Sequence, residues 1–180
     1  MEMKILIAGF GGQGVMLMGK LLGYAVTENT DKNVLYLPDY GPEQRGGTAN
    51  CTVIISDGEI GSPNVGNYDV MIAMNSTSYD KFSSKVNPGG LIIFNSKNHT
   101  LTDKDRDDVA IRTLDSEGIA EELEAPKSSN IVTLGVLLGI TNILPLEALD
   151  EIVTNMLGKN NSIVLQNRRA LMAGANYFKS

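Results

Sequence analysis

The chain has 180 residues, 42% of them apolar and 20% charged, and this suits one globular domain with a sizeable core. Its net charge of -6 argues against nucleic acid or an anionic membrane surface as a partner, because both repel an acidic protein. With Cys51 as its one cysteine and His99 as its one histidine, the chain cannot form an intramolecular disulfide and has too few ligands for a zinc or iron-sulfur site.

The chain opens with a predicted strand, helix and strand. Ile5 to Ala8 form a short uninterrupted apolar run, typical of a parallel strand buried on both faces. Apolar residues at helical spacing from Val15 to Val26 predict a helix that stops near Asn29. Val34 to Leu37 predict a second strand that ends at Pro38, so we expect a βαβ unit with a right-handed crossover.

The next segment departs from a parallel nucleotide-binding fold. Only seven residues separate Tyr40 from Thr48, whereas a parallel crossover needs about a dozen or more. The third strand, Thr48 to Ser56, is therefore not expected to continue a parallel mononucleotide fold. Asp57-Gly58 directly after it predicts a β-hairpin with a short return strand around Glu59 to Gly61.

The remaining pattern predicts more strands and then a run of helices. Residues 100–108 are interpreted as a solvated loop. We expect strands at Val70–Ala73, Leu91–Phe94 and Val109–Leu114, and helices at Ser76–Val86, Ser116–Glu124, Asn130–Ile140, Pro145–Leu157 and Ser162–Phe178. The predicted fold class is α/β: a single three-layer domain, residues 1–180, with a Rossmann-like mixed sheet, a β-hairpin insertion and a helical C-terminal part.

Two of the C-terminal helices differ in character. The helix from Pro145 carries one apolar stripe, as expected for a helix that lies on a core; its members are Leu146, Leu149, Ile152, Val153 and Met156. The helix Asn130–Ile140 is apolar nearly all round and must be covered on more than one side. Two interpretations stay open: burial within the chain, or a subunit contact at which Gly135 and Gly139 permit close approach.

The glycine cluster "GFGGQGV" follows the first strand and opens the first helix. Gly9, Gly11 and Gly14 fit G-x-G-x-x-G in the place where that fingerprint binds a dinucleotide pyrophosphate. The alternative is a tight turn that lets the helix pack on the strand, or a loop used by a neighbouring chain. Asp39 weakens the dinucleotide interpretation, because the ribose-binding acid is expected about 20 residues after the glycines and Asp39 comes later, behind Pro38.

A second cluster, "YGPEQRGG", lies between the second and third strands. Gly41-Pro42 and Gly46-Gly47 favour turns, and between them Glu43, Gln44 and Arg45 are displayed at the C-terminal edge of the sheet. Arg45 is suited to grip a carboxylate or phosphate through two hydrogen bonds. An internal salt bridge with Glu43 or Asp39 is the alternative.

No catalytic set emerges from the other polar residues. His99 lies beside a polar loop and is interpreted as a solvated surface residue. Cys51 alternates with apolar neighbours in a strand, which favours a buried, inert thiol. Ser128 and Ser129 precede a helix and are expected to cap it.

Taken together, the two glycine clusters resemble the gamma subunit of the 2-oxoacid:ferredoxin oxidoreductases, which act on pyruvate, 2-oxoisovalerate or 2-oxoglutarate. The likeness rests on "GFGGQGV" and "YGPEQRGGTANCTVIISD" and continues through "NVGNYDVMIAMN", "VNPGGLIIFNS" and "NIVTLGVLLG". Indolepyruvate:ferredoxin oxidoreductases have a related subunit, but this short chain resembles the 2-oxoacid group more closely.

The resemblance implies a cofactor-free subunit of an enzyme that oxidatively decarboxylates a 2-oxoacid to an acyl-CoA. Alpha and beta subunits, with a ferredoxin-like delta subunit in some complexes, would carry thiamine diphosphate and iron-sulfur clusters, use coenzyme A and pass electrons to ferredoxin. The isolated chain would be inactive. It would supply ligand or subunit contacts through Gly11, Gly12, Gln13, Gly14, Glu43, Gln44, Arg45, Gly46 and Gly47, with no catalytic residue and no metal ligand of its own.

Two other functions stay open at this stage. One is an independent NAD(P)- or FAD-binding module, and the other is a self-associating protein sealed by the helix Asn130–Ile140. We expect a cytoplasmic location, because the longest apolar run, 131–140, falls well short of the ~20 residues that cross a bilayer and the apolar run 5–8 is too short for a secretory signal.

Overall fold

A computed structural model describes residues 1–40, 48–61, 66–97 and 105–179 of the chain. The chain folds into two units: residues 1–19 with 32–114, and residues 20–31 with 115–180. The first contains a β-sheet and the second is helical. The first helix, α1 (Val15–Asn29), begins in the sheet unit and continues in the helical one.

The described residues of the sheet unit form six strands: β1 (Glu2–Phe10), β2 (Asn33–Tyr40), β3 (Thr48–Ser56), β4 (Tyr68–Ala73), β5 (Val86–Asn95) and β6 (Ala110–Leu114). Their order in the sheet is β2-β3-β1-β4-β5-β6. β3 runs antiparallel to both of its neighbours, β1 and β2, whereas β1, β4, β5 and β6 are parallel to one another in succession. The predicted α/β class with a mixed sheet is confirmed, and so is the prediction that the third strand leaves the parallel pattern.

The position of each strand explains its composition. Ile5, Leu6, Ile7 and Ala8 of β1 are all fully buried, as the uninterrupted apolar run predicts for a strand between two others. The predicted end of the second strand at Pro38 is wrong, because β2 continues to Tyr40. β2 lies at the edge of the sheet, where a residue without an N-H removes no hydrogen bond from the ladder.

The antiparallel hairpin joins β2 to β3, one connection earlier than the sequence suggests. The expected return strand at Glu59 to Gly61 is wrong, since the described residues 57–61 contain no strand. Asp57 instead accepts a hydrogen bond from the amino group of Met1 at 2.8 Å and pairs with Lys32 at 3.2 Å. These two cations lower the pKa of Asp57, which holds the N-terminus beside the end of β3. Both edges of β3 are already paired, with β1 and with β2, so no edge is left for the expected return strand.

A short helix connects β4 to β5. α2 spans Ser76–Phe82, and a single 3-10 turn at Ser83–Lys85 completes the predicted helical segment. Asn75 caps α2 by accepting a hydrogen bond from the backbone N-H of Ser78 at 2.8 Å. Tyr79 of α2 stacks on Phe94 of β5 with ring centroids 4.4 Å apart, which fixes the helix over the parallel half of the sheet.

The helical unit contains the rest of α1 and four more helices, α3 (Ser116–Glu122), α4 (Ser129–Thr141), α5 (Leu146–Leu157) and α6 (Asn161–Asn176). Residues 130–138 of α4 are all buried within this single chain, so burial within the chain, the first of the two interpretations for this helix, is confirmed. No helix in the described part of the chain combines the length and the apolar composition that a membrane span requires.

Glycines let α4 and α6 touch backbone to backbone. A Cβ atom on Gly174 would lie 1.9 Å from the carbonyl oxygen of Val132, and one on Gly135 would lie 2.2 Å from that of Leu171. Gly139 makes the same kind of contact with Ala175. The glycines that the sequence offered for a subunit contact therefore serve a contact inside the helical unit.

The expected capping role of Ser128 needs correction. Ser128 occupies the N-cap position of α4, but its side chain caps no backbone N-H. Its hydroxyl donates a buried hydrogen bond to Oδ1 of Asn167 in α6 at 2.8 Å. The buried pair ties the start of α4 to α6, because a buried hydroxyl or amide needs a partner.

Candidate functional site

The glycine loop lies at the edge of the sheet where the parallel strands end. β1 ends at Phe10, β4 at Ala73 and β5 at Asn95, and all three run in the same direction. Because β3 is antiparallel, its first residue, Thr48, pairs with Phe10 at this same edge. β2 ends here as well, at Tyr40 opposite Ala49. Tyr40 and Thr48, the last residue of β2 and the first of β3, therefore both lie at this edge of the sheet.

Gln13 holds the glycine loop closed with three hydrogen bonds. Its Oε1 accepts from the backbone N-H of Phe10 at 2.8 Å and from Nδ2 of Asn75 at 2.8 Å. Its Nε2 donates to the carbonyl of Met74 at 3.0 Å. The side chain thus links the end of β1 to the residues that follow β4. These three hydrogen bonds give the Gln13 amide a role inside the chain, and its assignment as a ligand or subunit contact stays a prediction.

The residues that complete this network are two asparagines that the sequence analysis missed. Asn75 bridges Gln13 and the first turn of α2. Asn95, at the end of β5, donates from Nδ2 to the same carbonyl of Met74 at 3.4 Å. Both asparagines stand directly after or at the end of an apolar run, where a strand gives way to a loop. An asparagine at such a position often caps a helix or lies at the edge of a sheet, so the sequence alone could have indicated both residues.

Three glycines of the loop are explained by the structure of the chain itself. A Cβ on Gly9 would lie within 3 Å of Gln13, Val15 and Met74, so the closed network itself requires glycine there. Gly12 and Gly14 adopt φ values of +97° and +76°, which side chains rarely tolerate. Gly11 differs from all three.

Gly11 has no reason within the chain to be glycine. It is exposed, and a Cβ added there would have nothing within 4 Å. Gly12 is equally exposed and open. The two residues form the outward tip of a loop whose base is clamped by Gln13. A backbone that is held in place and kept free of side chains suits a close approach by another molecule.

The sheet order does not suit a dinucleotide. The ribose-binding acid belongs at the end of the strand that neighbours β1, but β3 lies between β1 and β2. Asp39 is therefore two strand spacings, roughly 10 Å, from β1. Its Oδ2 accepts a hydrogen bond from Nδ2 of Asn50 at 3.2 Å, on the neighbouring strand. This geometry speaks against a nucleotide bound in the standard manner.

Cys51 lacks the properties of a nucleophile or a cluster ligand. The side chain is fully buried in β3, and burial raises the pKa of its thiol to about 12. Its Sγ lies 3.5 Å from the carbonyl of Val15, to which it donates a weak hydrogen bond. Among the residues that the structure describes, no three histidine, cysteine or acidic side chains are grouped as a metal site would require.

Five of the nine predicted contact residues fall outside the described ranges. These are Glu43, Gln44, Arg45, Gly46 and Gly47. Their assignment as ligand or subunit contacts stays a prediction, and so does the alternative salt bridge of Arg45. His99 also lies outside the described residues.

Three comparisons bear on this site. Residues 4–177 match the family described as pyruvate ferredoxin/flavodoxin oxidoreductase. The chain is 36% identical over 178 residues to ketoisovalerate oxidoreductase subunit VorA of Methanothermobacter thermautotrophicus, a match that covers 98% of this chain and 36% of VorA. It is 34% identical to 2-oxoglutarate synthase subunit KorC of Methanocaldococcus jannaschii, covering 88% of this chain and 86% of KorC.

A solved structure has the same fold over nearly its whole length. The keto/oxoacid ferredoxin oxidoreductase gamma subunit from Geobacter sulfurreducens superposes with a TM-score of 0.82 at 27% identity, covering 98% of this chain and 95% of that one. The chain thus spans almost all of KorC and of this subunit but only about a third of VorA.

Proposed function

The chain belongs to the pyruvate ferredoxin/flavodoxin oxidoreductase family, and from that premise we propose that it is the gamma subunit of a multi-subunit 2-oxoacid:ferredoxin oxidoreductase. Such an enzyme oxidatively decarboxylates a 2-oxoacid to an acyl-CoA and passes the electrons to ferredoxin. The observation that carries the proposal is the match to KorC, which covers 86% of a protein that is named as a single subunit. The family match over 4–177 supports treating residues 1–180 as one functional domain.

We assign the cofactors to companion alpha and beta subunits, with a ferredoxin-like delta subunit where the complex has one. Thiamine diphosphate supplies an electron sink for the decarboxylation, and iron-sulfur clusters carry the electrons. A cluster needs several thiolates, and this chain offers only Cys51, whose thiol is buried and has a raised pKa. The residues present do not fit a cluster, which supports a cofactor-free chain.

The contribution of this chain is a rigid backbone loop. Gln13 clamps the base of the glycine loop, and Gly11 and Gly12 present its tip. We propose that a companion subunit packs on this tip next to the active site. Tyr40 and Thr48 lie at the same edge of the sheet, and we propose that Glu43, Gln44 and Arg45, which come between them in the sequence, extend that contact. Gln13 acts as a positioning residue and not as a ligand.

An independent NAD(P)- or FAD-binding module is the second candidate function. It is favoured by G-x-G-x-x-G at a strand-to-helix junction, with an exposed and open loop tip. It is disfavoured by the strand inserted between β1 and β2, which moves Asp39 away from the ribose position.

Co-expression tests the subunit proposal. The chain is produced alone and together with alpha and beta chains of the same enzyme, under anaerobic conditions, and ferredoxin reduction is assayed with a 2-oxoacid and coenzyme A. We expect a stable complex with activity that requires all the chains, and no activity from this chain alone. Recovery of this chain only as a free species would contradict the proposal.

Calorimetry separates the two candidate functions. NAD, NADP and FAD are titrated into the isolated chain, and we expect no heat of binding from any of them. A Kd in the micromolar range for one of these nucleotides would support the independent module and overturn the assignment of the glycine loop to a subunit contact.

A further inference from the structure

A lysine of α2 reaches the edge of the sheet where the glycine loop lies. Lys81, in the last turn of α2, donates from Nζ to Oγ1 of Thr48 at 3.4 Å. Thr48 pairs with Phe10, the residue that precedes Gly11. One strand spacing and one residue separate Thr48 from Gly11, so the Lys81 ammonium group is on the order of 10 Å from the tip of the glycine loop.

A second lysine lies over the same aromatic ring as the first. The Nζ atoms of Lys81 and Lys85 are 5.1 Å and 5.6 Å from the centroid of the Phe82 ring. Both lysines are exposed, whereas Phe82 is buried. The ring attracts both ammonium groups and limits the positions that these long side chains adopt. A partner that binds them therefore loses less entropy than it would in ordering two free lysines.

The two ammonium groups have no partner of opposite charge in the part of the chain that the structure describes. No ion pair joins Lys81 or Lys85 to an acidic residue there. Arg168, by comparison, is held by the carboxylate of Asp150 at 2.7 Å. Two like charges four residues apart on a helical segment also repel each other. An anion bound between them would remove this repulsion.

The ordinary explanations of a surface lysine account for these two poorly. A lysine in the last turn of a helix usually interacts with the carbonyl groups that the helix leaves free. Lys81 reaches instead to Thr48, on a different element. The chain also has 21 acidic against 15 basic residues, so a shortage of carboxylates does not explain the unpaired charges.

The strength of an exposed ion pair decides which kind of anion fits. Such a pair improves a binding constant by about fivefold at most. A free small anion with even a millimolar Kd needs about a thousandfold, so two exposed lysines do not hold one by themselves. The same pairs are sufficient to orient a protein that is bound mainly through its other contacts.

We propose that the lysine pair, Lys81 and Lys85, binds an acidic segment of the companion subunit that packs on the glycine loop. The inference rests on the function proposed above and specifies the chemistry of that contact. The segment carries an aspartate or glutamate that reaches Lys81 when its backbone lies on Gly11 and Gly12. Because complementary charges fix the orientation of a complex, the lysine pair sets how the companion approaches the loop tip.

The test uses the complex formed by co-expression with the alpha and beta chains, captured through an affinity tag on this chain. The lysine pair is changed to Lys81→Glu with Lys85→Glu and, with both charges kept, to Lys81→Arg with Lys85→Arg. The matched control is Lys127→Glu with Lys159→Glu, because both are exposed, lie in the helical unit and form no ion pair among the described residues. Recovery is compared at about 50 mM and about 500 mM NaCl, since salt screens exposed charges. Circular dichroism and Tm of each isolated chain verify that it folds.

At the lower salt concentration, we expect the double glutamate variant to recover at least about tenfold less of the companion chains than the wild type, because attraction becomes repulsion. The double arginine variant should stay within about twofold of the wild type, and the control should match it. At the higher salt concentration, the tenfold difference should shrink to about threefold or less. If the double glutamate variant does not fold, Lys81→Met with Lys85→Met keeps apolar stems over the ring and should lower recovery about three- to fivefold.

Four results would overturn the inference. Wild-type recovery with the double glutamate variant at low salt would reject the lysine pair but leave the subunit proposal standing, because the complex still forms. Unchanged recovery with a raised KM for coenzyme A or for the 2-oxoacid would assign the lysines to a small anion. The same loss in the control would show a general effect of charge. Failure of the wild-type chain itself to bind the companion chains would reject this inference and the proposed function together.

Discussion

Glycines serve opposite purposes in the two units of this protein. In the helical unit, Gly135 and Gly174 are glycine because a Cβ atom would meet the backbone of the facing helix at 2.2 Å and 1.9 Å. In the sheet unit, Gly11 and Gly12 lie in open space, with nothing within 4 Å of a Cβ atom. The first pair is explained by a contact that the chain makes with itself.

The open pair needs a different explanation. Gly12 is accounted for by its positive φ, but Gly11 has neither strain nor a neighbour that would exclude a side chain. Glycine loses more conformational entropy on folding than any other residue, and an open position such as Gly11 or Gly61 gains no contact in return. Gly11 differs from Gly61 in lying on a loop that the Gln13 side chain clamps, and this is why we propose that a partner uses it. We therefore distinguish glycines that stabilise the fold, such as Gly174, from a glycine that serves a partner, Gly11. Substitutions at four positions test this distinction.

The largest effect is expected from Gly174→Ala. The new methyl group would collide with the carbonyl of Val132, and backbone cannot move aside as a flexible side chain can, so α4 and α6 must separate. We expect the free energy of unfolding to fall by about 3 kcal/mol or more, measured by urea denaturation. Gly61→Ala is the control, because Gly61 has open space around it. A loss no larger than that of the control would show that the two helices do not depend on this contact.

The next largest effect is expected from Gln13→Ala, which unlocks the base of the open loop. The variant removes hydrogen bonds to Phe10, Met74 and Asn75, and we expect a loss of about 1 to 3 kcal/mol in the free energy of unfolding. Amide hydrogen exchange at Phe10 should accelerate at the same time. Gln166→Ala is matched, since that side chain makes one exposed hydrogen bond to the carbonyl of Glu124. If both variants lost the same free energy of unfolding, Gln13 would not be a clamp on the glycine loop.

A smaller effect is expected from Gly12→Ala, which tests strain without a collision. Gly12 has φ +97° and no neighbour within 4 Å, so any loss comes from the backbone conformation alone. We expect about 1 kcal/mol in the free energy of unfolding. Gly12→Asn should lose less, because asparagine tolerates a left-handed conformation better than alanine. If both variants unfold like the wild type, the loop is free to change its conformation.

Strong periodicity made much of the fold predictable. Thr48–Ser56 matches β3, and the apolar run at Ile5 identified a strand buried on both faces. The missing crossover after Tyr40 correctly implied a mixed sheet, because chain length alone excludes a parallel connection there. These features depend on local spacing, which a single sequence contains.

The rest depended on contacts between distant residues. The sequence does not indicate that β3 inserts between β1 and β2, that Gln13 reaches Met74 and Asn75, or that Asp57 binds the N-terminus. Asp57-Gly58 is a sound local hairpin signal, but β3 already pairs with β1 on one edge and β2 on the other, which leaves no edge for a return strand. The motif G-x-G-x-x-G had the right local context, yet its strand order, invisible in the sequence, decides against the ligand it usually implies.

The smallest effect on stability, and the sharpest test of the contrast, is expected from Gly11→Val. Since Gly11 has an ordinary φ and open surroundings, the free energy of unfolding should change by no more than about 0.5 kcal/mol. Assembly should respond differently, because a branched side chain would hold an approaching backbone away from the loop tip. We expect recovery of the alpha and beta chains to fall at least about tenfold. Gly61→Val should leave recovery unchanged, although Gly61 has the same open space around it in the isolated chain.

Normal assembly and normal ferredoxin reduction with Gly11→Val would mean that no partner reaches this tip. Neither a contact nor backbone strain would then explain Gly11. The proposal that Gly135 and Gly174 serve the fold whereas Gly11 serves a partner would be rejected.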